Sequence, residues 1–335
     1  MRKRNSIEGQ LSLFPDLMEG VSEGVSGETS PEAVAPSKWP AWPEGLWVGT
    51  SSWSFPGWAG SVYDRKYPES KLSQQGLRAY SRHPLLQAVG IDRTFYAPMS
   101  AADHKKYADQ VPENFRFLVK APERLTTARF SRHPRNGPLA GLDNPQFLSA
   151  QLALEEWIEP AVQGLGSKLG CLLLQFPPTS TAAVAGPAGF AIALHRLLEQ
   201  LPRGPRYAVE IRNKDLFGKA YLQVLERLEV SHCLTVHPSM PSLLHQAQSL
   251  PPQPLTVIRW MLGSANYDEA VARYEPFDRL VDEDLPTRSA IVSLWRRSLE
   301  LHTPVLTIVN NKAEGCSPLS IERLAEEWWQ PEIPF

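Results

Sequence analysis

The strongest constraint on this chain is an alternation: short β-branched or apolar runs recur, separated by longer stretches in which apolar residues follow a helical spacing. Eight runs stand out, namely LWVGTS (46–51), AVGIDRTF (88–95), FRFLVKA (115–121), CLLLQF (171–176), YAVEIR (207–212), SHCLTV (231–236), LTVIRW (255–260) and PVLTIVN (304–310). The spacing predicts helices near 73–82, 101–109, 146–163, 185–200, 218–228, 241–248, 287–300 and 317–329. Eight strands, each followed by a helix, is the count of a closed (β/α)8 barrel of the TIM type. The roughly 280 residues involved suit that fold's usual size of about 250 plus insertions. A doubly wound open sheet is the alternative, but its GxGxxG fingerprint is not matched by GTSSWSFPGWAG (49–60), whose glycines are spaced differently. The long connections at 53–72, 122–145 and 262–286 are read as ordered loops on the C-terminal face, where such barrels keep their chemistry.

Residues 1–45 obey a different grammar. SEGVSGETSPEAVAPS is Gly-, Ser-, Glu- and Pro-rich and cannot bury enough apolar surface to offset chain entropy, so 1–45 is read as a disordered tail and 46–335 as one barrel domain. The whole chain has 34 basic and 36 acidic residues; setting aside four and seven in the tail leaves 30 against 29, so any polyanion site must be local. Cys171, Cys233 and Cys316 are far apart, odd in number and without CxxC spacing, which argues against a disulfide framework or a zinc cluster. Cys171 and Cys233 read as packed thiols in strands, Cys316 as exposed. No run approaches the roughly 18 apolar residues of a spanning helix. The opening MRKRNSIEGQ lacks a signal-peptide core, so a cytoplasmic protein without membrane contact is expected.

Strand parity then places the polar residues. Side chains alternate between the two faces, and one face collects Arg116, Leu118 and Lys120; Cys171, Leu173 and Gln175; Ala208, Glu210 and Arg212; Cys233, Thr235 and His237; Val257 and Arg259; and Leu306, Ile308 and Asn310. Asp92, Thr94 and Tyr96 align in the same way in the second run. Lys120, Arg212 and Arg259 outnumber Glu210 and Asp92 at one rim, and surplus positive charge in a concave mouth suits a phosphate or carboxylate. Glu210, kept ionised by Arg212, is the candidate general base, Lys120 a further catalytic candidate, and His237 the candidate acid or, alternatively, a loop cap before Pro238. A purely internal ion network of Glu210, Arg212 and Arg259 fits the same pattern. His232 and His237 have opposite parity and no HExxH is present, so no metal site is expected; the sequence points to no particular cofactor. Trp53 and Trp58, in the first long loop, are candidates to stack on a sugar or base.

Six ordered motifs, GTSSWSFPGWAG (49–60), TFY (94–96), LVKAPERLT (118–126), LGCLLLQFPP (169–178), AVEIRN (208–213) and VNNKAEG (309–315), resemble the YecE-like family, domain of unknown function 72. The resemblance runs from Trp47 to about Trp328 and implies a TIM-type barrel whose activity is not established. It carries over Gly49, Thr50, Ser51 and Trp53, Thr94 to Tyr96, Lys120, Gln175, Pro177, Pro178, Glu210, Arg212, Arg259, Asn310 and Asn311. From these, Arg212, Arg259, Tyr96, Gln175, Asn310, Asn311, Trp53 and Ser51 are taken as substrate-binding candidates. The family commonly has Glu-Ile-Asn before Thr-Phe-Tyr; here Gly90, Ile91 and Asp92 stand there, which removes one carboxylate and places another two residues on. His237-Pro238 stands where many relatives have an aspartate.

The tail holds a separate signal. Gln10, Leu11, Ser12, Leu13 and Phe14 resemble the pentapeptide by which bacterial polymerases and repair proteins dock on the DNA sliding clamp; a glutamine amide with Leu and Phe on a flexible tether can fill a preformed apolar groove. The leading expectation is an enzyme, a hydrolase or lyase, acting on a phosphate-bearing and possibly nucleic-acid substrate at the barrel mouth. The alternative is a noncatalytic adaptor recruited to the clamp, and a sugar isomerase or lyase rests on fold analogy alone.

Overall fold

A computed structural model describes residues 30–34, 38–132, 134–263 and 267–330. The strands are β1 (Leu46–Thr50), β2 (Ala88–Ile91), β3 (Arg116–Lys120), β4 (Leu169–Gln175), β5 (Tyr207–Glu210), β6 (Ser231–Val236), β7 (Thr256–Trp260) and β8 (Val305–Val309). They pair in parallel in sequence order, and β8 returns to β1 from Leu46↔Val305 to Thr50↔Val309, closing the barrel. Helices follow at Ala101–Ala108, Gly186–Gln200, Lys219–Leu228, Leu243–Gln248, Leu285–Glu300 and Ser317–Trp329. The helical layer between β3 and β4 runs from Ala150–Ala153 through a π-helical turn, Leu154–Ile158, into Glu159–Leu165.

The parity reading holds for most strands. Ala88, Leu118, Cys171, Leu173, Ala208, Cys233, Val257, Leu306 and Ile308 fill the barrel interior, while Val89, Phe117, Leu172, Val209 and Ile258 face the helices. Burying both faces is what makes these strands nearly continuous apolar runs. Arg116 lies at the opposite end from Lys120, with its guanidinium 4.9 Å over the Trp47 ring. Gly49 has no alternative: a Cβ there would sit 1.7 Å from the Ala88 carbonyl oxygen, so β1 could not approach β2.

Two backbone expectations change. The second strand stops at Ile91; Asp92 adopts helical backbone angles and Arg93–Phe95 form a 3-10 turn, so Thr94 and Tyr96 do not continue its parity. Thr94 instead turns inward as a clasp, its hydroxyl donating to the carbonyl oxygens of Ile91, at 3.0 Å, and Lys120, at 2.6 Å. The boundary at residue 45 also falls inside packed sequence. Trp42 is buried, edge-on to Trp295 at 5.2 Å and stacked on Trp329 at 4.8 Å, and Trp39 stacks on the other side of the cluster against Trp329 at 5.7 Å. The apolar faces of those indoles hold the segment in place despite Pro40 between Trp39 and Trp42. Gln10 to Phe14, with the clamp-like pattern, lie outside the described residues.

The long loops meet over the C-terminal face. Phe55 of the loop after β1 packs against Phe277 of the loop after β7 at 5.5 Å, and Gly57 permits it, because a Cβ there would lie 2.0 Å from the Pro276 carbonyl oxygen. Behind them the fully buried Glu314 accepts from Arg288 at 2.7 Å and from the Asp284 backbone N–H at 2.6 Å, tying the loop after β8 to the helix Leu285–Glu300. Cys316 is buried here too, not exposed, and burial pushes its thiol up to about 12. No helix among the described residues is long and apolar enough to cross a membrane.

Candidate functional site

The C-terminal ends of β2, β4, β5 and β7 deliver a connected chain of charges. Glu210, the last residue of β5, is wholly buried; its Oε1 accepts from Arg212 Nε at 2.9 Å and its Oε2 from Arg259 Nη1 at 2.5 Å. Arg259 extends from β7 to Asp92 Oδ2, 3.4 Å from Nη2, and Arg212 Nη2 approaches Gln175 Oε1 on β4 at 3.4 Å. Thus Asp92, Arg259, Glu210, Arg212 and Gln175 cross the mouth as one network, with Arg259 as its floor and Arg212 partly open to solvent.

The electrostatics follow from those contacts. Burial alone would raise the Glu210 carboxyl, but Arg259 and Arg212 outweigh it and hold the group down at about 2. Burial disfavours the Arg259 charge, and Glu210 and Asp92 more than restore it. With both oxygens engaged and so low a proton affinity, Glu210 is a counter-ion that orients two arginines, a poor match to the proton-accepting role the sequence suggests.

Lys120, at the end of β3, has the opposite character. Its Nζ lies 3.7 Å over the centroid of the Phe95 ring, and among the described residues it makes no hydrogen bond or ion pair. Burial, resisted by Asp92 and reinforced by Arg259 and Arg212, lowers the ammonium to about 8. A substantial neutral fraction near physiological pH follows, and the free amine is both a base and a nucleophile. Phe95 is carried over by the family resemblance but is not among the catalytic or substrate-binding candidates; its signal is the Thr-Phe-Tyr motif itself, which reads as strand instead of turn.

The other predicted residues separate into two groups. Ser51 and Asn310 meet at the β1–β8 seam, Asn310 Nδ2 donating to Ser51 Oγ at 2.8 Å while its Oδ1 accepts from the Lys312 N–H. Tyr96 is half-buried beside Phe95. Asn311 faces away from the mouth: its Oδ1 accepts from Ser317 N and Oγ and so caps the helix Ser317–Trp329. Trp53 and Trp58 are buried, Trp53 donating from Nε1 to the Leu72 carbonyl and meeting Tyr107 edge-on, so neither offers an open stacking face. His237 Nδ1 pairs with Ser239 Oγ at 2.7 Å, and Ser239 Oγ donates to the Arg212 carbonyl at 2.6 Å; burial and Arg212 lower the imidazole to about 4, leaving it neutral near pH 7. Through Ser239, His237 is tied to the backbone that carries Arg212.

One small recess reaches the network at Asp92, and a separate cleft lies outside it. A water-sized recess of about 20 Å³ is bounded by Ser51, Trp53, Asp92, Arg93 and Tyr107. A larger cleft of about 370 Å³ opens past the ends of β3 and β4, lined by Arg129, Phe130, Arg132, Pro177, Pro178 and Thr179. Asp92 Oδ1 and Arg259 Nε are buried polar atoms without a protein partner in the network. Buried polar atoms are almost always satisfied, so these two need water or ligand atoms. Among the described residues no group of three or more His, Cys, Asp or Glu side chains is placed to share a metal ion.

The sequence profile described as "Protein of unknown function DUF72" matches residues 47–333. The chain belongs to the DUF72 family. The UPF0759 protein YunF of Bacillus subtilis (strain 168) is 28% identical over 178 residues, a match covering 53% of this chain and 54% of YunF, so the chain spans about half the length of that relative. A DUF72 family protein from Enterococcus faecalis V583 superimposes with a TM-score of 0.52 at 16% identity, covering 84% of this chain and 95% of that one. Another, from Thermotoga maritima MSB8, gives 0.51 at 19% identity over 84% and 99%. At these identities the two DUF72 structures speak to the fold, and the barrel is shared.

Proposed function

We propose that this DUF72 barrel is an enzyme acting on an anionic, phosphate-bearing substrate, with nucleic acid included in that class, held at the C-terminal mouth. One observation carries the reading: Lys120, Arg212 and Arg259 share the mouth with Glu210 and Asp92, and Lys120, which among the described residues makes no carboxylate contact, is the one whose proton is held loosely. An anion between Arg212 and Lys120 restores the charge balance in a water-poor setting, where such interactions are strongest. Glu210 and Gln175 aim Arg212, and Lys120 supplies the reactive amine.

Isothermal titration with inorganic phosphate, a nucleoside monophosphate and a short single-stranded oligonucleotide tests this. Binding of at least one, weakened about tenfold or more in Arg212→Ala, supports the reading at the usual worth of a charge-assisted hydrogen bond. Absence of binding to all three overturns it.

The pentapeptide Gln10 to Phe14 favours a second reading, an adaptor recruited to the DNA sliding clamp. Clamp binding by the purified protein, lost when Gln10 and Phe14 are both changed to Ala, supports recruitment; equal behaviour of the two proteins removes it.

A further inference from the structure

We infer that Lys120 is an imine-forming nucleophile, so that the substrate class is an aldehyde or ketone carrying a phosphate or carboxylate; this rests on the anion-binding reading of the same mouth. Nζ faces the Phe95 ring, the residue is nearly buried, and the mouth's two carboxylates, Glu210 and Asp92, are each engaged by an arginine instead of by Lys120. An amine that serves only as an electrostatic clamp gains by pairing with a carboxylate. One beside an apolar ring and next to other cations is arranged as nucleophilic lysines are.

The neighbouring groups divide the remaining work. Arg212, the partly exposed guanidinium, is available to the anionic end of a substrate. Asp92 has Oδ2 on Arg259 and Oδ1 without a partner among the described residues, which leaves one carboxylate oxygen to exchange protons at the carbonyl. The Nζ lone pair attacks the carbonyl carbon, the C=O π pair moves to oxygen, and that oxygen takes a proton to give a carbinolamine. The nitrogen gives up a proton to Asp92 or water. The hydroxyl then leaves as water after a second protonation, and the C=N bond forms as a cationic iminium. Nothing is oxidised or reduced.

Trapping tests the step without knowledge of the natural substrate. The full-length protein is incubated at neutral pH with sodium cyanoborohydride, which delivers hydride to an iminium carbon, and with either glyoxylate, an anionic aldehyde, or propanal, a neutral one; labelled lysines are then located by peptide mass mapping. The expected result is Lys120 labelled by glyoxylate roughly tenfold or more faster than the exposed Lys105 and Lys106, with labelling slowed by inorganic phosphate. Labelling of Lys120 no faster than of those surface lysines with both aldehydes overturns the imine, and phosphate titration then decides separately whether the anion site stands. Fast labelling by both aldehydes alike, with no effect of phosphate, overturns the anionic substrate class while keeping the nucleophile. Lys120→Met, in which the labelled peptide must vanish, confirms the mapping.

Discussion

Lys120 presents its ammonium to the face of Phe95 at 3.7 Å, in a mouth where both carboxylates are already held by arginine. The contact comes about because β2 ends early: Thr94 clasps the Lys120 carbonyl from a 3-10 turn, which brings the adjacent Phe95 ring under the amine.

The first prediction concerns stability. Lys120 titrates near 8 in the folded protein against an ordinary 10.5, so the burial penalty is present in full below about pH 8 and is relieved as pH rises toward 10.5. That penalty is on the order of 3 kcal/mol. Lys120→Met is expected to be more stable than the natural protein at neutral pH, by up to that amount, and to lose its advantage at pH values above the unfolded pKa. Denaturant unfolding at several pH values measures it; a destabilised Met variant at neutral pH contradicts the assignment. Activity or trapping, by contrast, should rise with pH through about 8, as the amine becomes free.

Glu210 gives the reverse sign. Its folded pKa of about 2 lies below the ordinary 4.5, so it contributes stability that is present above about 4.5 and lost as pH falls toward 2. Glu210→Gln leaves Arg259 buried against a neutral amide, at a cost of about 3–5 kcal/mol. Acid titration of the variant should also lack the Glu210 part of the low-pH loss. A variant as stable as the parent at neutral pH would show that the pair is not the mouth's structural centre.

Trp42 tests where the barrel domain begins. Its indole is buried against Trp295 and Trp329, and its Nε1 donates to the Leu85 carbonyl at 2.9 Å. Trp42→Ala is expected to cost about 3–5 kcal/mol in urea unfolding, the range for deleting a large buried aromatic. A loss of a few tenths would place the segment outside the cooperative unit.

These cases also show which parts of the molecule local sequence encodes. Strand β6 spans the same six residues the apolar run marks, Ser231–Val236, because both of its faces are buried and its apolar pattern is continuous. The second apolar run extends past the end of β2 because Thr94 and Phe95 favour strands, whereas the turn that holds them depends on a carbonyl of β3. Lys120, Glu210, Arg212 and Arg259 were legible as inward-facing charges from parity. Their roles were not, since the Arg259 that occupies Glu210 lies 49 residues away and the Arg259 that reaches Asp92 lies 167 residues away. Asn311 and Asn310 are neighbours with identical side chains, and only the helix cap at Ser317 separates their functions.

The two arginines of the network give the last prediction, because equal chemistry at unequal depth separates binding from folding. Arg259 is about 1% exposed and bridges Asp92 and Glu210; Arg212 keeps 18% of its side chain in solvent and touches one carboxylate. Removing Arg259 leaves Glu210 with Arg212 as its charged partner and only the Thr235 hydroxyl, at 3.5 Å, besides, and leaves Asp92 with none in the network, so Arg259→Ala should lose about 3–5 kcal/mol of stability. Removing Arg212 exposes Glu210 Oε1 to water while Arg259 remains on Oε2, so Arg212→Ala should cost about 1–2 kcal/mol, nearer a single charge-assisted hydrogen bond. Phosphate titration and urea unfolding of both variants, side by side, decide the matter. If Arg212→Ala stays folded and no longer binds while Arg259→Ala unfolds easily, the outer arginine belongs to the ligand and the inner one to the barrel; equal loss of stability in both would make the whole network structural.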